Sequence, residues 1–155
     1  MATTNKPYEY TDYDGVETIN AEVCVIGSGC GGATLAYKLA EAGIDTVIVE
    51  KGGYYPSSTF DNRELNQAGK VDAERNLTTS TDGSTFLTYG ELVGGTSVHY
   101  WADSYRTPDD RLQLWQDHYG MTGHDRARLA PIFADIERRL HIAEMPPFYH
   151  NRMNE

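Results

Sequence analysis

A chain of 155 residues is about the size of one ordinary domain. Hydrophobic residues make up 39% of it, enough for a core, but no apolar run approaches the roughly 20 residues that span a bilayer. With 13 basic against 23 acidic residues the net charge is −10, which argues against a nucleic-acid footprint, since that needs a basic face.

Residues 1–20 read as an acidic leader, in which Tyr8, Tyr10 and Tyr13 stand among Glu9, Asp12 and Asp14. The leader has neither the basic start and apolar stretch of a secretory signal nor a twin arginine, so a cytoplasmic location is expected. Glu22-Val23-Cys24-Val25-Ile26 is a short β-branched run that suits a strand buried on both faces of a parallel sheet. Cys24 and Cys30, the two cysteines, match no zinc or thioredoxin spacing and are expected to be small buried residues.

The run leads into Gly27-Ser28-Gly29-Cys30-Gly31-Gly32. Beyond it Ala33, Ala36, Tyr37 and Ala40 recur at helical spacing, as do Leu35, Leu39 and Ala42, and Gly43 closes the helix. Thr46-Val47-Ile48-Val49-Glu50 is a second strand, followed by Lys51-Gly52-Gly53. The order is that of a βαβ unit.

Gly27, Gly29 and Gly32 satisfy G-x-G-x-x-G between strand and helix, and each glycine has a mechanical task. The first permits the tight turn, the second lets a pyrophosphate approach the backbone, and the third lets helix and strand pack closely. The helix N-terminus then supplies N–H donors and a positive dipole. Glu50 ends the second strand about 20 residues further on, where an acid accepts ribose hydroxyls and disfavours a 2′-phosphate. The turn by itself leaves FAD and NAD both open.

Residues 54–88 are rich in Ser, Thr, Asn and Asp and read as a long irregular insertion, with a short helix near Asn62 to Ala68. A second glycine passage comes next, Val93-Gly94-Gly95-Thr96-Ser97, and then the aromatics Tyr100, Trp101 and Tyr105, read as core or flavin-edge packing. Helices are expected over Leu112 to Tyr119 and Leu129 to Ala143, the latter with a stripe of Leu129, Phe133, Ile136 and Leu140 and stopped by Pro146 and Pro147. Arg126, Arg128, Arg138 and Arg139 read as a solvated helix surface. His118, His124, His141 and His150 share no ligand spacing, so they are expected at the surface and no metal site is expected.

Residues 22–53, ending Val-Glu-Lys-Gly-Gly-Tyr-Tyr, resemble the opening of flavoprotein oxidoreductases. Val93 to Tyr100, running on to Arg106-Thr107-Pro108, is similar to the flavin-contacting segment of the glucose–methanol–choline (GMC) oxidoreductases. Trp115 with Tyr119-Gly120, Leu129-Ala130-Pro131 and Glu137 through Ile142 are similar to the next segment of bacterial members. The resemblance covers about residues 21–145. It implies FAD as cofactor, with Gly27, Ser28, Gly29, Gly32, Glu50 and Lys51 toward its ADP half, and Gly94, Gly95, Thr96, Ser97 and His99 toward the pyrophosphate and flavin. It further implies oxidation of an alcohol or sugar-like substrate to a carbonyl, with hydride passing to the flavin. Some members bond a histidine at the step of His99 covalently to the flavin; packing or hydrogen bonding is the role expected here. Two positions depart from the family: Tyr100 stands where asparagine is common, and Glu91 where many bacterial members have arginine.

The fold class expected is thus α/β: an incomplete Rossmann-like FAD-binding βαβ unit with an irregular insertion and C-terminal helices. Its organisation reads as a leader over 1–20, a partial FAD-binding core over 21–108, and a helical segment over 109–155 that begins the remainder of the enzyme. The family's substrate domain and catalytic histidine pair are expected beyond Glu155, so no catalytic residue is assigned and this chain alone is expected to need a missing portion or partner chain. The alternatives are a non-catalytic FAD-binding remnant or partner subunit, or an NAD-dependent Rossmann dehydrogenase.

Overall fold

Strands β1 (Val23–Ile26) and β2 (Thr46–Val49) pair in parallel, Val23 opposite Thr46 and Ile26 opposite Val49. Parallel neighbours need a crossover, and α1 (Cys30–Glu41) provides it. The computed structural model describes residues 7–151; leader residues 1–6 and the last four residues lie outside them. The described residues fall into two compact units, dividing between Trp101 and Ala102.

In the first unit the sequence signals act where they stand. Helix α1 starts at Cys30, three residues before the alanine spacing begins, because Gly31 and Gly32 already form its first turn. It closes on Gly43 at φ +76°: Gly43 N donates to Ala40 O and Ile44 N to Leu39 O, both at 3.0 Å, the paired bonds of a Schellman cap. Gly32 lies so close to the preceding strand that a methyl group there would sit 2.0 Å from Gly27 O and 3.3 Å from Val25 Cγ1. That approach seats α1 on one face of the sheet and buries Val25 and Ala36.

The other face corrects two expectations. Side chains alternate along a strand, so Cys24 and Ile26 point away from α1. On that face Ile26 is 88% exposed and Val49 53% exposed. The strands are therefore not buried on both faces. Cys24 is exposed for the same reason, and Cys30 is exposed at the open start of α1.

The insertion contains α2 (Glu64–Val71), close to the short helix expected, with a 3₁₀ turn at Ser57–Thr59 and a left-handed turn through Glu74, Arg75 and Asn76. It returns to the end of β2. Gly53 and Leu92 form a parallel bridge, Val93 N donates to Gly53 O at 3.0 Å, and Asp72 bridges Gly90 antiparallel. A methyl group on Gly52 would lie 2.1 Å from Glu91 O, so only glycine admits this approach. Val71, Ala73 and Leu92 are buried beneath it, Leu92 almost completely. Polar composition hid this anchoring, because two apolar residues within the segment, Val71 and Ala73, and Leu92 just beyond it carry it.

The second unit holds α3 (Asp109–Tyr119) and α4 (Arg126–Leu140). Gly120, at φ +63°, ends α3, and Asp125 caps α4 by accepting Arg128 N at 3.0 Å. Arg106 forms two 2.6 Å bonds to the Glu137 carboxylate and lies over the Phe133 ring. The helix does not run on to the prolines: it ends at Leu140, where His141 turns left-handed (φ +53°) and donates its N–H to Glu137 O. Of the expected apolar stripe, Leu129 and Phe133 are half-buried and Ile136 and Leu140 exposed. The arginines of α4 lie at its surface, with Arg138 and Arg139 both bonded to Asp135. His118, His124, His141 and His150 are exposed. Tyr100, Trp101 and Tyr105 are exposed too, and form no core.

Candidate cofactor site

The glycine turn presents a helix start without side chains. Gly27, at φ +89°, turns the chain out of β1 while its N–H donates to Val49 O at 2.7 Å. Gly29 is the N-cap of α1, and Ala33 N to Gly29 O is the first helical bond, so the N–H groups of Cys30, Gly31 and Gly32 have no acceptor within the helix. A methyl group on Gly29 or Gly31 would meet nothing within 4 Å. Open space beside N–H donors at a helix N-terminus fits a pyrophosphate.

Ser28 is the buried polar residue of the turn, 7% exposed. Its N–H and its hydroxyl both donate to Glu50 Oε2 at 2.7 Å, and the hydroxyl oxygen accepts Gly94 N–H at 2.9 Å. One side chain thus joins the first glycine passage, the acid ending the second strand, and the second glycine passage. Glu50 Oε1 accepts Gly52 N at 2.9 Å. Partial burial opposes the Glu50 charge, but the N–H groups of Gly52 and Ser28, the Ser28 hydroxyl and the Lys51 N–H outweigh it and hold the carboxyl below its ordinary 4.5.

The second passage is a 3₁₀ turn, Gly95–Val98, entered by Gly94 at φ +97° and Gly95 at φ +57°. It lies directly against the first: a methyl group on Gly95 would be 2.9 Å from Gly29 Cα. Thr96 Oγ1 accepts Gly90 N at 3.0 Å, and Ser97 Oγ donates to Gly94 O at 2.5 Å, so both hydroxyls hold the turn's own shape.

Lys51 Nζ pairs with Glu91 Oε2 at 2.7 Å, and the Glu91 hydrogen bond and charge raise the lysine's pKa. The acid at 91 is thereby paired with a cation beside the site. His99 Nδ1 lies 3.3 Å from Asp72 Oδ1, while its Nε2 is buried and, among the described residues, without a hydrogen-bond partner. Nε2 faces Gly90, where a methyl group would lie 2.6 Å from it. Asp72 and Gly90 shape the place of His99, yet neither carries a motif that sequence reading detects.

Beside Glu50 opens a cleft of about 660 Å³, within the roughly 300–1,000 Å³ of small-molecule sites. Ile48, Glu50, Lys51 and Gly52 to Tyr55 line it.

The family model of the GMC oxidoreductases matches residues 44–155, and that of an FAD binding domain matches residues 22–61. A long-chain-alcohol oxidase of Arabidopsis thaliana is 36% identical over 106 residues, covering 68% of this chain and 14% of the relative. A GMC-type oxidoreductase of Mycobacterium tuberculosis is 29% identical over 135 residues, 86% of this chain and 22% of the relative. The 6'''-hydroxyparomomycin C oxidase of Streptomyces lividus is 39% identical over 100 residues, 60% of this chain and 18% of the relative. Pyridoxine 4-oxidase from Mesorbium loti shares the fold at a TM-score of 0.53 and 22% identity, over 73% of this chain and 24% of that one. The chain thus spans under a quarter of the length of each.

Proposed function

This chain belongs to the GMC oxidoreductase family, with FAD as its cofactor, and from that premise we propose that it forms the FAD-holding part of an enzyme that oxidises an alcohol to a carbonyl. The observation that carries the reading is the contact of the two glycine passages, Ser28 bonded to Gly94 and Gly29 against Gly95. A dinucleotide with a reactive ring at one end needs two backbone surfaces free of side chains, and here they are adjacent.

In this reading the start of α1 receives the pyrophosphate on the N–H groups of Cys30, Gly31 and Gly32. Glu50, kept ionised by its four donors, accepts hydroxyls of the adenosine ribose and repels a 2′-phosphate. Gly94 and Gly95 leave the backbone bare for close approach, with Thr96 and Ser97 fixing the turn and His99 packing behind it. FAD, when bound, accepts the hydride from the alcohol carbon. Lys51 stays outside the contact set as the partner of Glu91.

The substrate is proposed to be an alcohol. Relatives named for oxidising a long-chain alcohol and a hydroxylated paromomycin support that class. The test is to purify the protein as its cell makes it, record flavin absorbance, and add alcohols without oxygen. Bleaching by a primary alcohol is expected. A flavin that no alcohol or sugar reduces, or a bound nicotinamide in its place, would overturn the proposal.

A further inference from the structure

The acidic leader carries aromatic residues that the cofactor site as described leaves unused. Pro7, Tyr8, Glu9 and Tyr10 line the cleft beside Glu50, and Tyr54 and Tyr55 line it after β2. The leader is shaped locally: Glu9 N donates to Asp12 Oδ2 at 2.7 Å, Asp12 N donates to Glu9 O at 2.8 Å, and Tyr10–Asp12 forms a 3₁₀ turn. The Tyr8 and Tyr13 rings lie 6.1 Å apart. Tyr8 is 69% and Tyr10 90% exposed, so neither ring is explained by a core. Four tyrosines around one cleft, next to the carboxylate that would hold the ribose, make a site for a flat aromatic base.

We propose that the leader is part of the dinucleotide site, with Tyr8 and Tyr10 flanking the adenine of FAD opposite Tyr54 and Tyr55. The proposal rests on the FAD reading above and adds to it a segment outside the βαβ unit. A purine stacks on an aromatic ring through its π-face and needs no directed hydrogen bond, which suits side chains held by a short turn. The carboxylates of Glu9 and Glu50 on the cleft add acidic charge that further disfavours a 2′-phosphate.

The test titrates three probes calorimetrically into the full chain: FAD, ADP, and FMN, which lacks the adenosine. The Tyr8→Ala/Tyr10→Ala variant is expected to weaken FAD and ADP by a common factor of about tenfold and to leave FMN unchanged. Tyr8→Phe/Tyr10→Phe, which keeps the rings, is expected to bind as the parent does. Chymotrypsin cleavage at the leader tyrosines of the parent chain should slow on adding ADP, a measurement that needs no variant. Equal ADP affinity in parent and alanine variant, or leader cleavage that ADP leaves unchanged, would overturn the leader's role while FAD binding by the parent keeps the FAD reading intact. A parent that binds neither FAD nor ADP would overturn both.

Discussion

Ser28 and Gly94, 66 residues apart in sequence, are joined by a 2.9 Å hydrogen bond from the Gly94 N–H to the Ser28 hydroxyl, which itself donates to Glu50. Small size alone would explain a serine inside a glycine turn, but here the hydroxyl is a junction. Ser28→Ala removes both of its bonds and leaves the Gly94 N–H without this acceptor. A loss of about 1–3 kcal/mol is expected in urea unfolding, the range for a part-buried polar group deprived of its partner. A change below about 0.5 kcal/mol, the level of an ordinary surface substitution, would show that the junction contributes nothing.

Two glycines of one motif are predicted to behave differently. A methyl group on Gly32 would lie 2.0 Å from Gly27 O, so Gly32→Ala must push α1 off the strand. It is expected to cost at least about 1–3 kcal/mol without any ligand. Gly29 has φ −61° and a methyl group on it would meet nothing within 4 Å, so Gly29→Val should leave thermal unfolding of the cofactor-free chain nearly unchanged. Equal destabilisation by both would contradict the packing described.

The βαβ unit was legible because each part announces itself: a β-branched run, a glycine turn, small residues at helical spacing, a second run with its acid. The second glycine passage was legible as a passage, but its contact with the first was not. That contact depends on Ser28 and on the fit of Gly95 against Gly29, and no spacing rule encodes it. The open sheet face was misread, since Ile26 and Val49 look the same in sequence whether or not anything covers them. The end of α4 was misread because His141 takes a left-handed conformation that sequence rules reserve for glycine or asparagine. Of the two neighbours that shape the place of His99, Asp72 lies in an insertion whose polar composition gives no periodic signal, and Gly90 follows just beyond it.

Glu50 ties stability to pH. Its folded pKa lies below the ordinary 4.5, so its contribution is complete above about pH 4.5 and is lost as pH falls through the lower folded value. Unfolding free energy should therefore decline from pH 5 toward pH 3 more steeply in the parent chain than in Glu50→Gln. Matching slopes would mean that the four donors around the carboxylate do not favour its charge.

His99 is expected to form no covalent bond to flavin. Its Nε2 faces the backbone at Gly90 and its Nδ1 faces Asp72, so neither ring nitrogen is directed at open space. Acid precipitation of flavin-loaded protein should leave all the yellow colour in the supernatant. Colour retained in the pellet, and lost in His99→Ala, would show a covalent link.

The central claim is that the two glycine passages make one seat for FAD, and its most direct test is a calorimetric titration of FAD and of NAD into the parent chain and Gly29→Val. One FAD per chain is expected in the parent, with no measurable heat from NAD and FAD affinity reduced about a hundredfold in Gly29→Val, whose side chain would occupy the space left for the pyrophosphate. NAD binding without FAD binding, or a Gly29→Val chain that binds FAD as tightly as the parent, would contradict it.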